Sequence, residues 1–554
     1  MAQRPQPVSL PPRSFSQRKW PGTGSLVALM LLVLGLLAIA TLAWMGGGLG
    51  ALPGRTATIL ESAVTQAVLS TLFSALVAVP VAVTLNRRRE WRSTRMIRFI
   101  LAGAMVIPTT VAATGLLEIW GRNGIITLIC TAIAGETACG GISIYGLHGV
   151  VLAHMFFNVP LLVWIFMPLL EAIPAGQWRI AEHLGLDARA RFRLLEFPAI
   201  RQGLAGGMVL VFLLCFTSFA LVLMLGGGPK VTTLEVEIYA AIRFAFDFKA
   251  AASLSLFQFG CAALVVAVMA ALRRSGRITA VADSATLPRP PRWQASFLLN
   301  IWDGVVFTLI AWLIVLPMVM VVVGGLGGDM VKAVMRDGFV SVSLTSISVA
   351  ITSAVLTLII ALNLAASRAA EAVRLAPSRW RLILLDAGVM LYLVIPSIVL
   401  GTAAFILLRH YGDAFRFAFG VVVMANTLLA LPLATRLLEP RLVQIFLHHG
   451  RLAAALGIKG WRRWRLLTLP ALNREIGQVL GLAAALSVGD LGVIALFASN
   501  DFRTLPWLLY QMAGSYRGDI AAALALILLA LTLSLLMLGR ISGKLFIWRG
   551  RTHA

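Results

Sequence analysis

Few side chains in this sequence are equipped for chemistry, and they are scattered. Asp490 stands in "LSVGDLGVIAL" (486–496), a stretch with no other charge. An ionised group at the centre of an apolar span costs about 2.5–3.5 kcal/mol on insertion scales and normally faces protein or water. Two uses suit it: offsetting the lost hydration of a cation in transit, or fixing packing through a hydroxyl or Arg of a neighbouring helix. His154 and Asn158 lie one helical turn apart on one face, a spacing that suits hydrogen bonds between helices. Glu118 and Trp120 fall near the end of an apolar run, where a Trp commonly anchors the membrane interface. Pro108 and Pro396 occupy equivalent places and either break helices beside a path or kink them passively. The seven histidines, at 148, 154, 183, 410, 448, 449 and 553, form no cluster with carboxylates along the chain. That pattern argues against an enzyme embedded in the membrane.

Two basic, aromatic segments interrupt the apolar chain: "IAEHLGLDARARFRLLEFPAIRQGL" (180–204) and "AAALGIKGWRRWRLLTLPALNREIG" (453–477). Each reads as helix, turn, helix. Ile180, Ala181, Leu184 and Leu186 precede Arg191, Phe192 and Arg193; Leu452, Ala453, Leu456 and Ile458 precede Trp461, Arg462, Trp464 and Arg465. Gly185 and Gly457 suit a helix end that needs positive φ, and Pro198 and Pro470, each thirteen residues later, suit the start of the next element. One such segment could simply lie at the headgroup boundary. Two copies with the same Gly-to-Pro spacing point to a pair of docking sites, and so to two partner subunits.

Neither candidate phosphate loop survives inspection. "GRISGK" (539–544) has three residues between its glycines and Leu545 where a magnesium-binding hydroxyl belongs; "GGGPK" (226–230) falls at the outer face. Any ATP used must be bound by a partner.

The elements that position these residues are membrane spans. Of 554 residues 59% are hydrophobic and 13% charged, far from the roughly 25% charged content of soluble domains. Twelve runs are long enough to cross a hydrocarbon core of about 30 Å: 25–45, 63–85, 99–120, 148–170, 204–225, 251–272, 300–323, 341–365, 383–408, 418–435, 477–498 and 520–539. The first exceeds the length of a cleaved signal peptide and reads as a retained helix. Most of the 47 Lys and Arg fall on alternate connections, an asymmetry that places both termini in the cytoplasm. It accounts for the net charge of +24 without nucleic-acid binding. Four cysteines are too few for a disulfide framework. Cys215 and Cys261 read as packing residues, and Cys130 and Cys139 share an outer loop that permits a disulfide.

A polar, proline-bearing linker at 273–296 separates a first half, 1–272, from a second, 297–554, with six spans each. At a constant offset of 272, Pro160 pairs with Pro432, Gly185 with Gly457, Pro198 with Pro470 and Ser218 with Asp490. "TLEVEIY" (233–239) matches "TLPWLLY" (504–510) at 271, and "VIPTT" (106–110) matches "VIPSI" (394–398) at 288. Six spans per half make the repeats parallel, related by an axis along the membrane normal.

The paired segments resemble the EAA loop of ABC importer permeases, the coupling helix that sits in a groove of the ATPase. Ala181, Gly185, Leu195 and Pro198, and Ala453, Gly457, Leu467 and Pro470, match the motif; Arg179 and Arg451 stand where its first Glu belongs. Longer stretches, "GLHGVVLAHMFFNVPLL" (146–162), "LCFTSFALVLMLGGGPKVTTLEVEIY" (214–239) and "LSVGDLGVIALFASNDFRTLPWLLYQMAGSYR" (486–517), resemble fused permeases of bacterial thiamine importers. The resemblance implies an all-α polytopic membrane protein of twelve transmembrane helices in two homologous six-helix halves, a duplicated type I ABC importer permease. It implies residence in the bacterial inner membrane, a homodimeric ATPase carrying ATP and Mg at the cytoplasmic face, a periplasmic thiamine-binding protein, and no cofactor in this chain. The cargo would be thiamine and, as in related systems, its phosphate esters. Asp490 would then face the thiazolium charge along a path with Ser218, Pro108, Pro396 and Tyr510. The aromatic, mixed-charge segments 235–249 and 499–519 suit either gate helices or a docking surface for the binding protein, with the gate favoured at 230–240 and 501–510; Phe246, Trp507 and Tyr510 are candidate stacking partners. A ferric-iron importer permease has the same plan and is the nearest rival. An ion-coupled secondary transporter would need a relay of intramembrane acids, and Asp490 stands nearly alone.

Overall fold

The structure, a computed structural model, describes residues 23–46, 52–122, 124–135, 143–228, 231–274, 297–374, 376–458, 460–515 and 517–551. The expected linker at 273–296 lies almost wholly outside them, as does Cys139; Cys130 is disulfide-bonded. Every regular element among the described residues is helical.

Among the described residues ten helices are long and apolar enough to cross a membrane, or eleven when the pair Arg379–Val394 and Ser397–Tyr411, bent by 91°, is taken as one span. The remaining member of the expected twelve is Leu469–Val488, a 20-residue helix whose Asn473, Arg474, Glu475 and Gln478 reduce its hydropathy. Its first-half equivalent is Phe197–Phe216.

Four expected spans are discontinuous. The run 204–225 divides into Phe197–Phe216 and Ala220–Leu225, and the run 477–498 into Leu469–Val488 and Gly492–Phe497. Asp490 and Ser218 therefore lie in matched breaks rather than within continuous helices. The run 99–120 divides into Arg92–Ala104 and Thr109–Trp120 with Pro108 as the N-cap of the second piece; Pro396 caps Ser397–Tyr411 in the same way. Pro has no N–H to continue a ladder and biases the preceding residue away from helical angles, so the breaks at Pro108 and Pro396 fall where the chemistry of the chain demands.

A different use of Pro produces three π-turns, Phe192–Glu196, Ala311–Val315 and Trp464–Thr468. Each ends two residues before a Pro: Pro198, Pro317 and Pro470. In a regular α-helix the proline ring would strike the carbonyl four residues back. The wider turn relieves this, with Phe197, Leu316 and Leu469 donating instead to carbonyls five residues back.

The two halves exchange their first helices. Thr23–Met45 packs chiefly against Arg379–Val394 and Phe339–Ala372, while Leu316–Gly327 packs against Thr109–Trp120 and Gly518–Arg551. Small residues allow the close approach: a Cβ on Gly388 would meet the backbone of Ala28 at 3.0 Å. Tyr392 Oη donates to the Leu31 carbonyl at 2.7 Å. At the end of Thr56–Arg87, Arg88 Nε meets Asp303 Oδ2 at 2.7 Å and Arg87 Nη1 meets Oδ1 at 3.4 Å. Thr84 Oγ1 donates to the same carboxylate at 3.2 Å, so a buried Asp of the second half is held by the first.

"GRISGK" is resolved as packing. Gly539 and Gly543, on Gly518–Arg551, cross Gly477 and Gly481 on Leu469–Val488 so closely that a Cβ on Gly477 would lie 2.2 Å from the Gly539 carbonyl. With little hydrophobic force between helices in lipid, such small-residue crossings provide the adhesion.

Candidate translocation cavity and coupling segments

The two basic segments form the same turn. Ala175–His183 ends at Leu184, and Gly185 follows at φ +60°. The N–H of Leu186 reaches the Ala181 carbonyl at 3.0 Å and that of Gly185 the Glu182 carbonyl at 2.9 Å. This is a Schellman closure, which satisfies terminal carbonyls by means of one left-handed residue. In the second copy Gly457 has φ +66° and Ile458 donates to Ala453 at 2.9 Å. Ala181 and Ala453 are buried under these turns, and Leu195 and Leu467 are half-buried beyond them. Nothing lies within 4 Å of a Cβ on either glycine; glycine is needed there for its φ and not for space.

The copies differ in how they leave the membrane. Pro174 caps Ala175–His183 and separates it from Leu147–Glu171, whereas Phe446 at the equivalent position lets Ala418–Ala455 run without interruption into the segment. Asp187 Oδ1 accepts from Ala190 N at 2.8 Å and starts the next short helix; its counterpart Lys459 lies outside the described residues, and nothing is described of the Arg451 side chain. Both copies present apolar side chains outward at matched places: Leu184 is 69% exposed and Leu456 64%, Leu194 62% and Leu466 60%. Pro198 and Pro470 are exposed beside them. Such matched apolar exposure on a basic surface is the mark of an interaction site.

Between the halves lies a cavity of about 410 Å³, within the range of small-molecule sites. Its walls are the helix breaks: Met105–Thr109 and Thr217–Leu221 from the first half, Gly489–Gly492 from the second, with Ser397 beside Pro396. Irregular backbone at membrane depth is tolerated where it lines a cavity. The cavity brings Pro108, Ser218 and Asp490 together; Pro396 is one residue from it, and Tyr510 does not line it. The Tyr510 ring lies tilted against Trp507 at 5.4 Å, and its repeat counterpart Tyr239 lies 5.4 Å from Phe219 at the cavity wall.

The glycines of "SVGDLG" admit neighbours to Asp490. A Cβ on Gly489 would lie 2.9 Å from Pro108 Cβ, and one on Gly492 2.5 Å from Ser397 Oγ. Asp490 Oδ1 accepts the Gly492 N–H at 3.2 Å, and among the described residues no Arg or hydroxyl is paired with this carboxylate. His154 and Asn158 line the cavity and also join helices: His154 Nδ1 lies 3.0 Å from Ser70 Oγ, and Asn158 Nδ2 donates to Cys215 Sγ at 3.1 Å. Glu118 and Trp120 lie elsewhere, against Gly324 and Trp312 of the exchanged helix, and Phe246 is exposed at φ +53°.

Sequence reasoning missed Glu235, Asn426, Ser397 and Ser487, all on the cavity wall. Asn426 was within reach, since it stands 272 residues after His154; its Nδ2 donates to Ser487 Oγ at 2.8 Å. Glu235 was hidden by Glu237 two residues on, which turns outward to pair with Arg55.

Broken helices around a cavity shared by two halves, above paired glycine turns, define a membrane permease of the importer type. Residues 78–278 match the family described as binding-protein-dependent transport system inner membrane component, and the chain belongs to that family. It is 40% identical over 479 residues to the thiamine transport system permease protein of Brucella suis, covering 85% of each chain. The proteins of the same name are 36% identical in Escherichia coli, over 84% of this chain and 85% of that one, and 35% identical in Salmonella typhimurium, over 85% and 86%. The chain is thus a multi-pass membrane transport subunit and not itself an enzyme.

Proposed function

We propose that this chain is the permease subunit of an ABC importer that carries thiamine inward, its halves 1–272 and 297–554 joined by the 273–296 linker. The observation that carries the reading is one cavity between the halves set above two matched, outward-facing coupling turns. A homodimeric ATPase, holding ATP and Mg, engages Ala181, Gly185, Leu195 and Pro198 on one side and Ala453, Gly457, Leu467 and Pro470 on the other. Its closure draws the turns together and rocks the halves between outward-open and inward-open states, while a periplasmic thiamine-binding protein biases loading. Both termini lie in the cytoplasm. Cargo passes Asp490, Ser218, Pro108 and Pro396, with Tyr510 in the outer gate.

Thiamine is supported by the names of the full-length relatives; the ferric-iron reading finds no such support among them. The test is uptake by proteoliposomes holding the chain with its ATPase and binding protein. Thiamine should accumulate only with ATP inside the ATPase compartment, thiamine phosphate esters should compete to the extent that they are carried, and ferric iron should not accumulate. Transport by the purified chain alone would refute the importer and favour an ion-coupled carrier.

A further inference from the structure

The cavity draws two acidic side chains from opposite halves. Glu235 enters from the first half and Asp490 from the second, and no Lys or Arg is among the residues that line it. Glu235 is 1% exposed, and its Oε1 accepts Gln258 Nε2 at 3.1 Å. Asp490 Oδ2 is buried without a hydrogen-bond partner among the described residues. Two carboxyl groups withdrawn from water and facing one space are costly to ionise unless something positive joins them.

A separate observation points to a ligand. His154 and Asn426, related by the repeat and each 4% exposed, line the same cavity from opposite halves. His154 Nε2 and Asn426 Oδ1 are buried and lack partners among the described residues, although buried polar groups are ordinarily satisfied. The wall therefore holds two carboxyl groups and two unmet hydrogen-bonding atoms, distributed over both halves.

We propose that Glu235 and Asp490 together form a binding site for an organic cation in the cavity, with His154 and Asn426 hydrogen-bonding the polar edge of the same ligand. The site is asymmetric by construction. By the repeat offsets Asp490 corresponds to Ser218 and Glu235 to Pro506, so neither half contains both carboxylates and only their union completes the pair. This inference rests on the thiamine reading and deepens it: the permanent thiazolium charge meets the carboxylates, and the aminopyrimidine offers donors and acceptors to His154 and Asn426.

The experiment compares uptake of thiamine with uptake of its uncharged isostere, in which a thiophene replaces the thiazolium, by the complete transporter in proteoliposomes. Each variant is scored by its cation-to-isostere uptake ratio relative to wild type, which cancels the binding protein's own preference. Glu235→Gln and Asp490→Asn should each lower that ratio about tenfold or more, the loss of one charged interaction. Placing a carboxylate at the mirror position, Ser218→Asp in the Asp490→Asn background, should restore much of it, a rescue that a purely structural role for Asp490 would not produce. Failure of wild type to carry thiamine overturns the substrate assignment. A wild type that carries thiamine, with a ratio unmoved by either substitution or with both compounds falling together and no rescue, overturns the dicarboxylate site alone.

Discussion

Replacing Gly185 and Gly457 by Ala tests whether the coupling turns act through their backbone. Both glycines sit at φ +60° and +66° with no heavy atom within 4 Å of a Cβ, so a methyl group meets no clash and the whole cost is conformational. A non-glycine residue in the left-handed region costs roughly 1–2 kcal/mol. The two turns share no hydrogen-bond partner, so their costs should add. The double variant then loses about 2–4 kcal/mol from the Schellman closures, which is at least about thirtyfold in the balance between closed and opened turns. Asn tolerates this region better than Ala, so Gly→Asn at both sites should retain most function although Asn is larger. The assay is ATPase activity stimulated by the loaded binding protein, measured on the complete transporter in nanodiscs. Stimulation should fall steeply in the double Ala variant and recover in the double Asn variant. Equal stimulation in all three proteins, or Ala performing better than Asn, would refute a role for the left-handed turn in transmission.

Three other outcomes follow from the packing. Gly481→Leu inserts a side chain where the Leu535 and Leu536 carbonyls already lie within 3.2 Å of a Cβ; it should cost at least about 1–3 kcal/mol of stability, read as a lower melting temperature in detergent. Asp303→Asn leaves Arg87 and Arg88, whose side chains are only 14% and 11% exposed, without their carboxylate. Loss of one partner from a buried pair costs about 3–5 kcal/mol, and replacing both arginines by Met as well should recover part of the melting temperature. Pro470→Ala removes the reason for the π-turn at Trp464–Thr468. The helix should tighten to a regular α-turn with unchanged or higher stability, while the shifted register of the segment lowers stimulated ATPase activity.

Several features were readable from local residue chemistry. The left-handed turns at Gly185 and Gly457, the breaks at Pro108 and Pro396, the pairing of Pro198 with Pro470 and the matched positions of Ser218 and Asp490 all appear where the residue types and repeat offsets place them. The apparent continuity of 204–225 and 477–498 misled because hydropathy averages over a window and does not register a three-residue interruption. The same averaging hid Glu235, whose neighbour Glu237 made the segment look like solvent-facing polar chain.

What the sequence determined by itself is therefore what depends on single residues and their near neighbours: length enough to cross a bilayer, a φ only glycine adopts readily, a nitrogen with no proton, and a repeat visible as constant spacing. What only the tertiary structure decided is which distant groups meet. Glu235 and Asp490 are 255 positions apart and His154 and Asn426 are 272 apart, yet all four line one cavity. The exchange of first helices and the Gly477–Gly539 crossing are likewise products of shape fitting between many helices. The physical reason is that a backbone preference is spent within one turn, whereas convergence of side chains depends on how every helix between them packs.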